Sequence, residues 1–210
     1  NIMPYFYGKF TSFNGDTFDK RSQLIISKNC LSENEFDTVP FDAVAILMNP
    51  GSALPLDESD LCREKEGLFI PIFPDPTQYQ LMHIMDTKNW NTLCVINLSD
   101  KIGSDSSVFL KWVKDNKNNE QILKQWSIFG DDSTSNLTSI MNRTERIICA
   151  WGQYSNLKYL TKFVYPRLEA LGKDIKGIQS GQGNHLYQHP YSQATETRWR
   201  WYKDMLSQLR

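Results

Sequence analysis

Along this chain the apolar residues change their spacing again and again, and each change marks an element. Ala43 to Met48 is an apolar run of six residues with no Gly or Pro, and it stops at the polar turn Asn49-Pro50-Gly51-Ser52. A run that short, with no polar alternation, predicts a strand buried on both faces. Trp90–Leu98 and Arg146–Trp151 repeat the pattern, ending at Asn97-Leu98-Ser99-Asp100 and at Gly152. Met3–Phe10 and Ser22–Ser27 are β-prone and are separated by the turn signal Asn14-Gly15-Asp16, so an antiparallel pair is expected within residues 1–40, flanking the sheet edge.

Helical spacing appears between the strands. A helix is expected from Asp75-Pro76-Thr77, with Leu81, Ile84 and Met85 on one side. Ser106–Ser127 is helical in character, with a very polar interruption at Asp115–Glu120. Asp131–Ser135 reads as a loop, Leu137–Arg146 as a helix, and Asn156–Leu171 as a helix that Pro166 kinks or breaks. Asp174–Ile178 is expected as a short last strand and 195–210 as a C-terminal helix. Residues 53–75, rich in Pro and charge, are expected to be an irregular insertion with at most a short helix. Strand and helix alternate throughout, which predicts one three-layer α/β domain over 1–210 with a central, mostly parallel sheet.

Composition narrows the class. Hydrophobic content of 40% and charged content of 22% are globular values. No apolar run is long enough to span a membrane, and the N-terminus lacks a signal pattern. Cys30, Cys62, Cys94 and Cys149 are widely spaced without a CxxC pair, which fits core thiols and a reducing cytoplasm. No metal site and no cofactor are expected. The acidic run from Asp57 to Glu66 reads as a solvated loop. Net charge is −1, but residues 1–140 carry 12 basic and 19 acidic side chains, whereas 141–210 carry 11 and 5. A basic C-terminal third suits either a phosphate-bearing partner or two solvated faces that partly attract each other.

Four strand ends converge if the sheet is parallel: Asn49-Pro50-Gly51-Ser52, Asn97, Trp151-Gly152, and the segment with His185, Tyr187, His189 and Tyr191. Amide side chains offer a donor and an acceptor together, as a nucleobase edge requires. Tyr187 and Tyr191 are aromatics that can stack on a flat ligand. A histidine there serves as acid, base or stabiliser of developing charge. Asn49 as a cap for the following helix is the structural alternative. No phosphate loop, GxSxG elbow, HExxH or dinucleotide fingerprint occurs, which argues against kinase, esterase, metalloprotease and classical dehydrogenase readings.

The order AILMNPGSA, Asp75-Pro76-Thr77, Val95-Ile96-Asn97-Leu98, Ala150-Trp151-Gly152 and a closing His-Leu-Tyr resembles the DUF1643 family, which is of unknown function. The resemblance runs from about Met3 to Ser192, and both His185 and His189 are candidates for its last motif. A more distant resemblance is to the uracil-DNA glycosylase superfamily. Asn49-Pro50-Gly51 is similar to the NPG of its mismatch-specific branch, and His189-Pro190-Tyr191-Ser192 to the HPS of other branches. That resemblance implies a like architecture. It also implies that Asn49 positions the attacking water, His189 stabilises the leaving base and Asn97 reads it. Such enzymes flip the base out of the stack, and Arg198, Arg200 and Lys203 would then touch phosphates. Three functions stay open: a glycosylase-like hydrolase acting on nucleic acid or a nucleotide, a non-catalytic binding module for the same partners, and a protein-interaction protein.

Overall fold

The apolar run that opens at Ala43 forms the middle of the sheet. In the computed structural model, which describes residues 3–130, 134–179 and 185–209, every residue of β3 (Ala43–Leu47) is buried, as is every residue of β5 (Thr92–Asn97). β3 lies parallel between β5 and β6 (Arg146–Cys149), and β6 pairs in parallel with β7 (Asp174–Lys176). Burial on both faces explains why these strands carry no polar alternation.

The N-terminal pair is β1 (Tyr5–Asn14) and β2 (Thr17–Ser27), joined antiparallel. β2 continues directly onto β5, also antiparallel. The insertion is less irregular than its composition suggests. It makes two 3-10 turns, Glu58–Asp60 and Arg63–Lys65, then β4 (Phe69–Pro71), which pairs with β1 and forms the edge. The result is a mixed seven-stranded sheet, β4-β1-β2-β5-β3-β6-β7, parallel through its central and far strands.

Helices cover both faces. α1 (Pro76–Lys88) and α6 (Thr195–Gln208) bury Leu81, Ile84, Met85, Trp201 and Met205 against Ala43, Ala45, Leu93 and Val95. On the other face, α2 (Ser106–Asp115), α3 (Glu120–Gln125), α4 (Thr134–Met141) and α5 (Lys158–Ala170) pack on Val44, Ile46, Cys94 and Ile96. The polar stretch after Asp115 does separate α2 from α3. α5 runs through Pro166 without ending there. Of the loop expected at Asp131–Ser135, residues 131–133 lie outside the described residues, and Thr134 already opens α4.

The winding decides where a ligand site can sit. The chain leaves β3 toward α1 on one face and leaves β6 toward α5 on the other. Neighbouring parallel strands whose exits diverge in this way open a crevice beyond their carboxyl ends.

Candidate functional site

A cavity of about 650 Å³ occupies that crevice. Met48, Asn49 and Gly51 enter it from the exit of β3, and Trp151 and Tyr154 from the exit of β6. Asp75, Thr77 and Gln78 come from the first turn of α1, and Gly103, Ser104 and Ser106 from the start of α2. The loop before α6 closes it with His189, Tyr191, Ser192 and Gln193.

Asn49 holds two of these walls together. Its Nδ2 donates to the carbonyls of Pro50, Lys101 and Gly103 at 3.2, 3.2 and 2.9 Å. The amide does not cap a helix. It ties the β3 exit to the loop after β5, and among the described residues its Oδ1 accepts no hydrogen bond. Asp75 caps α1, its Oδ1 accepting from the N–H groups of Thr77 and Gln78, while Gln78 Oε1 accepts from the Asp75 N–H. Its second oxygen, Oδ2, lies 3.1 Å from where a Cβ on Gly51 would stand, so Gly51 lets the carboxylate approach the turn.

His189 is held by its own loop. His189 Nδ1 lies 3.2 Å from the Tyr191 N–H, from which it accepts in one tautomer, and 3.3 Å from the Tyr191 carbonyl, to which it donates in the other. Burial lowers its pKa, against the pull of the nearby Asp75 carboxylate, so the ring is neutral at pH 7. Arg198 braces the same loop. It donates to the carbonyls of Ser192 and Gln193 and lies over the Tyr191 ring. Arg200 pairs with Glu196 on exposed α6, and Lys203 lies over the Trp199 ring.

Six of the expected strand-end residues stand apart from the cavity. Tyr187 is buried in the core, where its hydroxyl donates to Tyr165 and its backbone pairs with Gly152. Gly152 takes a φ of 101°, a conformation that favours glycine, to make that pairing. His185 stacks on Tyr165, and its carbonyl accepts from Trp151 Nε1 at 2.8 Å. Asn97 is buried at the end of β5 with its Oδ1 unpartnered, and it does not line the cavity. Pro50, Gly152 and exposed Ser52 do not line it either. The structure thus brings Asn49, Gly51, Trp151, His189 and Tyr191 together and leaves the remaining strand-end candidates outside the lining.

Sequence reading missed several cavity side chains, among them Asp75, Gln78 and Tyr154, and the one that is buried, charged and unpartnered at two of its nitrogens is Arg21. β1 and β2 slip register between Lys9 and Phe10, with Lys9 opposite Gln23 and Phe10 opposite Arg21, so Ser22 is an extra residue. This bulge turns Arg21 onto the face that carries Phe10 and Leu24 and into the cavity. Arg21 is 3% exposed. Its Nε and Nη1 are buried and have no hydrogen-bond partner. Burial lowers its pKa to about 10, against the pull of Asp75, so it stays charged at neutral pH. A bulge breaks the alternation by which a strand is read, and β2 begins at Thr17, five residues before the β-prone run at Ser22.

Comparison with known proteins adds one relation. The family described as a protein of unknown function, DUF1643, matches residues 71–191, more than half of the chain. The chain belongs to the DUF1643 family. No curated protein and no solved structure matches it. The DUF1643 match takes in Asp75, Trp151, His189 and Tyr191, while Arg21 and Asn49 come from the part of the chain before it. Among the described residues no helix is long and apolar enough to cross a membrane, and no cluster of His, Cys, Asp or Glu has metal-binding geometry.

Proposed function

We propose that this DUF1643 protein is a nucleobase-recognising, glycosylase-like hydrolase built on a uracil-DNA-glycosylase-like plan, and that its partner is nucleic acid or a nucleotide. One observation carries the reading: the two stretches similar to glycosylase motifs, at Asn49 and His189, are far apart in sequence and line the same cavity. In this reading the base enters between Tyr154 and Tyr191, both partly exposed at the cavity. Asn49 Oδ1, fixed by the three bonds of its Nδ2, accepts a hydrogen from the attacking water. In the tautomer that accepts from the Tyr191 N–H, the neutral His189 donates its Nε2–H to the departing base. Water adds to the sugar carbon and releases one proton to the solvent, the carbon–nitrogen bond breaks, and the base leaves with the electron pair and takes up a proton from the solvent. Arg200 and Lys203 on exposed α6 are the phosphate contacts.

A second reading, a binding module without turnover, is favoured by the same Asn49. An amide is a poor base, and this one spends all its donor capacity on the loop. Base release from modified-base DNA and nucleosides, followed by chromatography, separates the two. The hydrolase reading expects release that falls at least about a hundredfold in Asn49→Ala and His189→Ala. Tight binding with no release leaves the binding module. Absence of both from every base-bearing ligand overturns the family of readings.

A further inference from the structure

Resting on the nucleobase reading, we infer that the groove between α1 and α6 takes a second base beside the one in the cavity, and that the substrate is therefore a single strand of nucleic acid rather than a free nucleotide or a paired duplex.

The groove has a volume of about 470 Å³ and runs between Gln80, His83 and Thr87 of α1 and Arg198, Trp199 and Tyr202 of α6. Trp199 is 56% exposed, which leaves a large aromatic ring in water. It stacks on Tyr202, with ring centroids 5.3 Å apart and planes 23° from parallel. The Tyr202 hydroxyl is hydrogen-bonded to the Thr87 hydroxyl of α1, so the pair of rings is held in place before any ligand arrives. A fixed and accessible aromatic surface of this kind suits the face of a base, and it takes any base because every base has a π-face.

Charge narrows the flat ligand to one that carries phosphates. Lys203 lies over the Trp199 ring and Arg198 over the Tyr191 ring. Among the described residues neither cation forms an ion pair, and Arg198 gives its hydrogen bonds to the neutral acceptors of Ser192, Gln193 and Thr195. Glu196 is engaged by Arg200. Two cations without carboxylates beside an exposed ring match the phosphates that flank a stacked base. Asp86 on the α1 wall repels phosphate and accepts from a base donor, so it is the base that lies in the groove. Arg198 also joins the groove to the cavity. It lines the groove, and its guanidinium is 5.4 Å from the centre of the Tyr191 ring, which lines the cavity. One side chain separates the two sites, so nucleotides of one strand reach both. Inside a duplex the faces of each base are already stacked, and Trp199 would find none free.

Fluorescence anisotropy of the full chain with a labelled single-stranded oligonucleotide, the duplex of the same sequence and a labelled mononucleotide tests the inference. The single strand is expected to bind about tenfold or more tighter than either of the others. Trp199→Ala, at an exposed position that the fold does not need, is expected to weaken strand binding by about five- to 150-fold, the loss of one base–aromatic stack, and Trp199→Phe to recover most of it. Lys203→Gln is expected to lower the slope of log affinity against log salt by about 0.7, the share of one phosphate on a single strand. Strand binding that depends on Trp199 supports the groove even if no base is released, in which case the hydrolase reading alone fails. Equal binding of the duplex or the mononucleotide, or a Trp199→Ala protein that holds the strand as the natural sequence does, overturns the inference and leaves the cavity reading in place. Self-association that Trp199→Ala removes makes the groove a protein contact and overturns it too. If no strand binds at low salt the inference fails, and base release from free nucleosides in the same samples shows whether the cavity reading fails with it.

Discussion

Arg21 is held in the fold at a cost. A charged group taken out of water without a partner destabilises its host, and replacing such a group with an apolar residue of similar volume often stabilises the protein. Arg21→Met is therefore expected to raise the free energy of unfolding by roughly 1–4 kcal/mol, measured by urea unfolding. Asp100 gives a second test with a definite pH sign. It is buried beside the loop that Asn49 ties down, and burial raises its pKa well above 3.8 despite the Lys20 ammonium and the Ile128 N–H. The unfolded chain ionises this group near the ordinary value of about 3.9, so the native carboxyl stays protonated at pH values where the unfolded one has lost its proton. Stability from this group is thus full at acid pH and is lost as pH rises through the raised native pKa. Asp100→Asn is expected to stabilise the protein at pH 7.5 and to change it little near pH 4. His189 runs the other way, because its native pKa is depressed. The unfolded chain takes up that proton first as pH falls below about 6.5, and the fold loses stability from there down to the native pKa. His189→Gln should flatten that part of the profile.

Among the elements, those with short-range causes were legible in the sequence. The uninterrupted apolar runs at Ala43, Trp90 and Arg146 became β3, β5 and β6, and Asp75-Pro76-Thr77 opened α1 with a capping box. What could not be read depends on partners far along the chain. β4 is three residues long and exists because Tyr7–Lys9 supplies its pairing. The bulge at Ser22 has no local signature, since the slip is defined by the opposite strand. The histidine segment held two candidates of like composition. Only packing separates them, because Tyr165 stacks on His185 whereas His189 is left at the cavity. α6 shows how much one element can carry. Trp201 is 1% exposed, and its Nε1 donates to the Gln188 carbonyl, joining the helix to the residue before His189. Trp201→Ala is expected to cost about 3–5 kcal/mol in urea unfolding. It is also expected to weaken nucleoside binding, because the cavity loop loses its anchor.

At the scale of the molecule, one sheet spends its two kinds of strand pairing on different tasks. The parallel strands build a crevice where the chain leaves β3 and β6 toward opposite faces. The antiparallel hairpin lies beside β5 and supplies Arg21 to that crevice. The candidate site therefore draws on residues from position 21 to position 193, and a reading confined to the parallel strands finds its walls and misses its charge. The same plan has a consequence for how copies of the protein behave in a crowded solution. β1 and β2 are ten and eleven residues long, and a hairpin of that length with an open flank is a template for a second chain. β4 occupies the flank at Tyr7–Lys9, and Pro71 ends it without offering an N–H of its own. Ile70→Asp, which places a charge where Ile70 is 2% exposed, is expected to unseat β4. Light scattering should then rise with protein concentration for the variant and stay flat for the natural sequence. Three residues inside a proline-rich excursion would thus be the guard that keeps this sheet from growing.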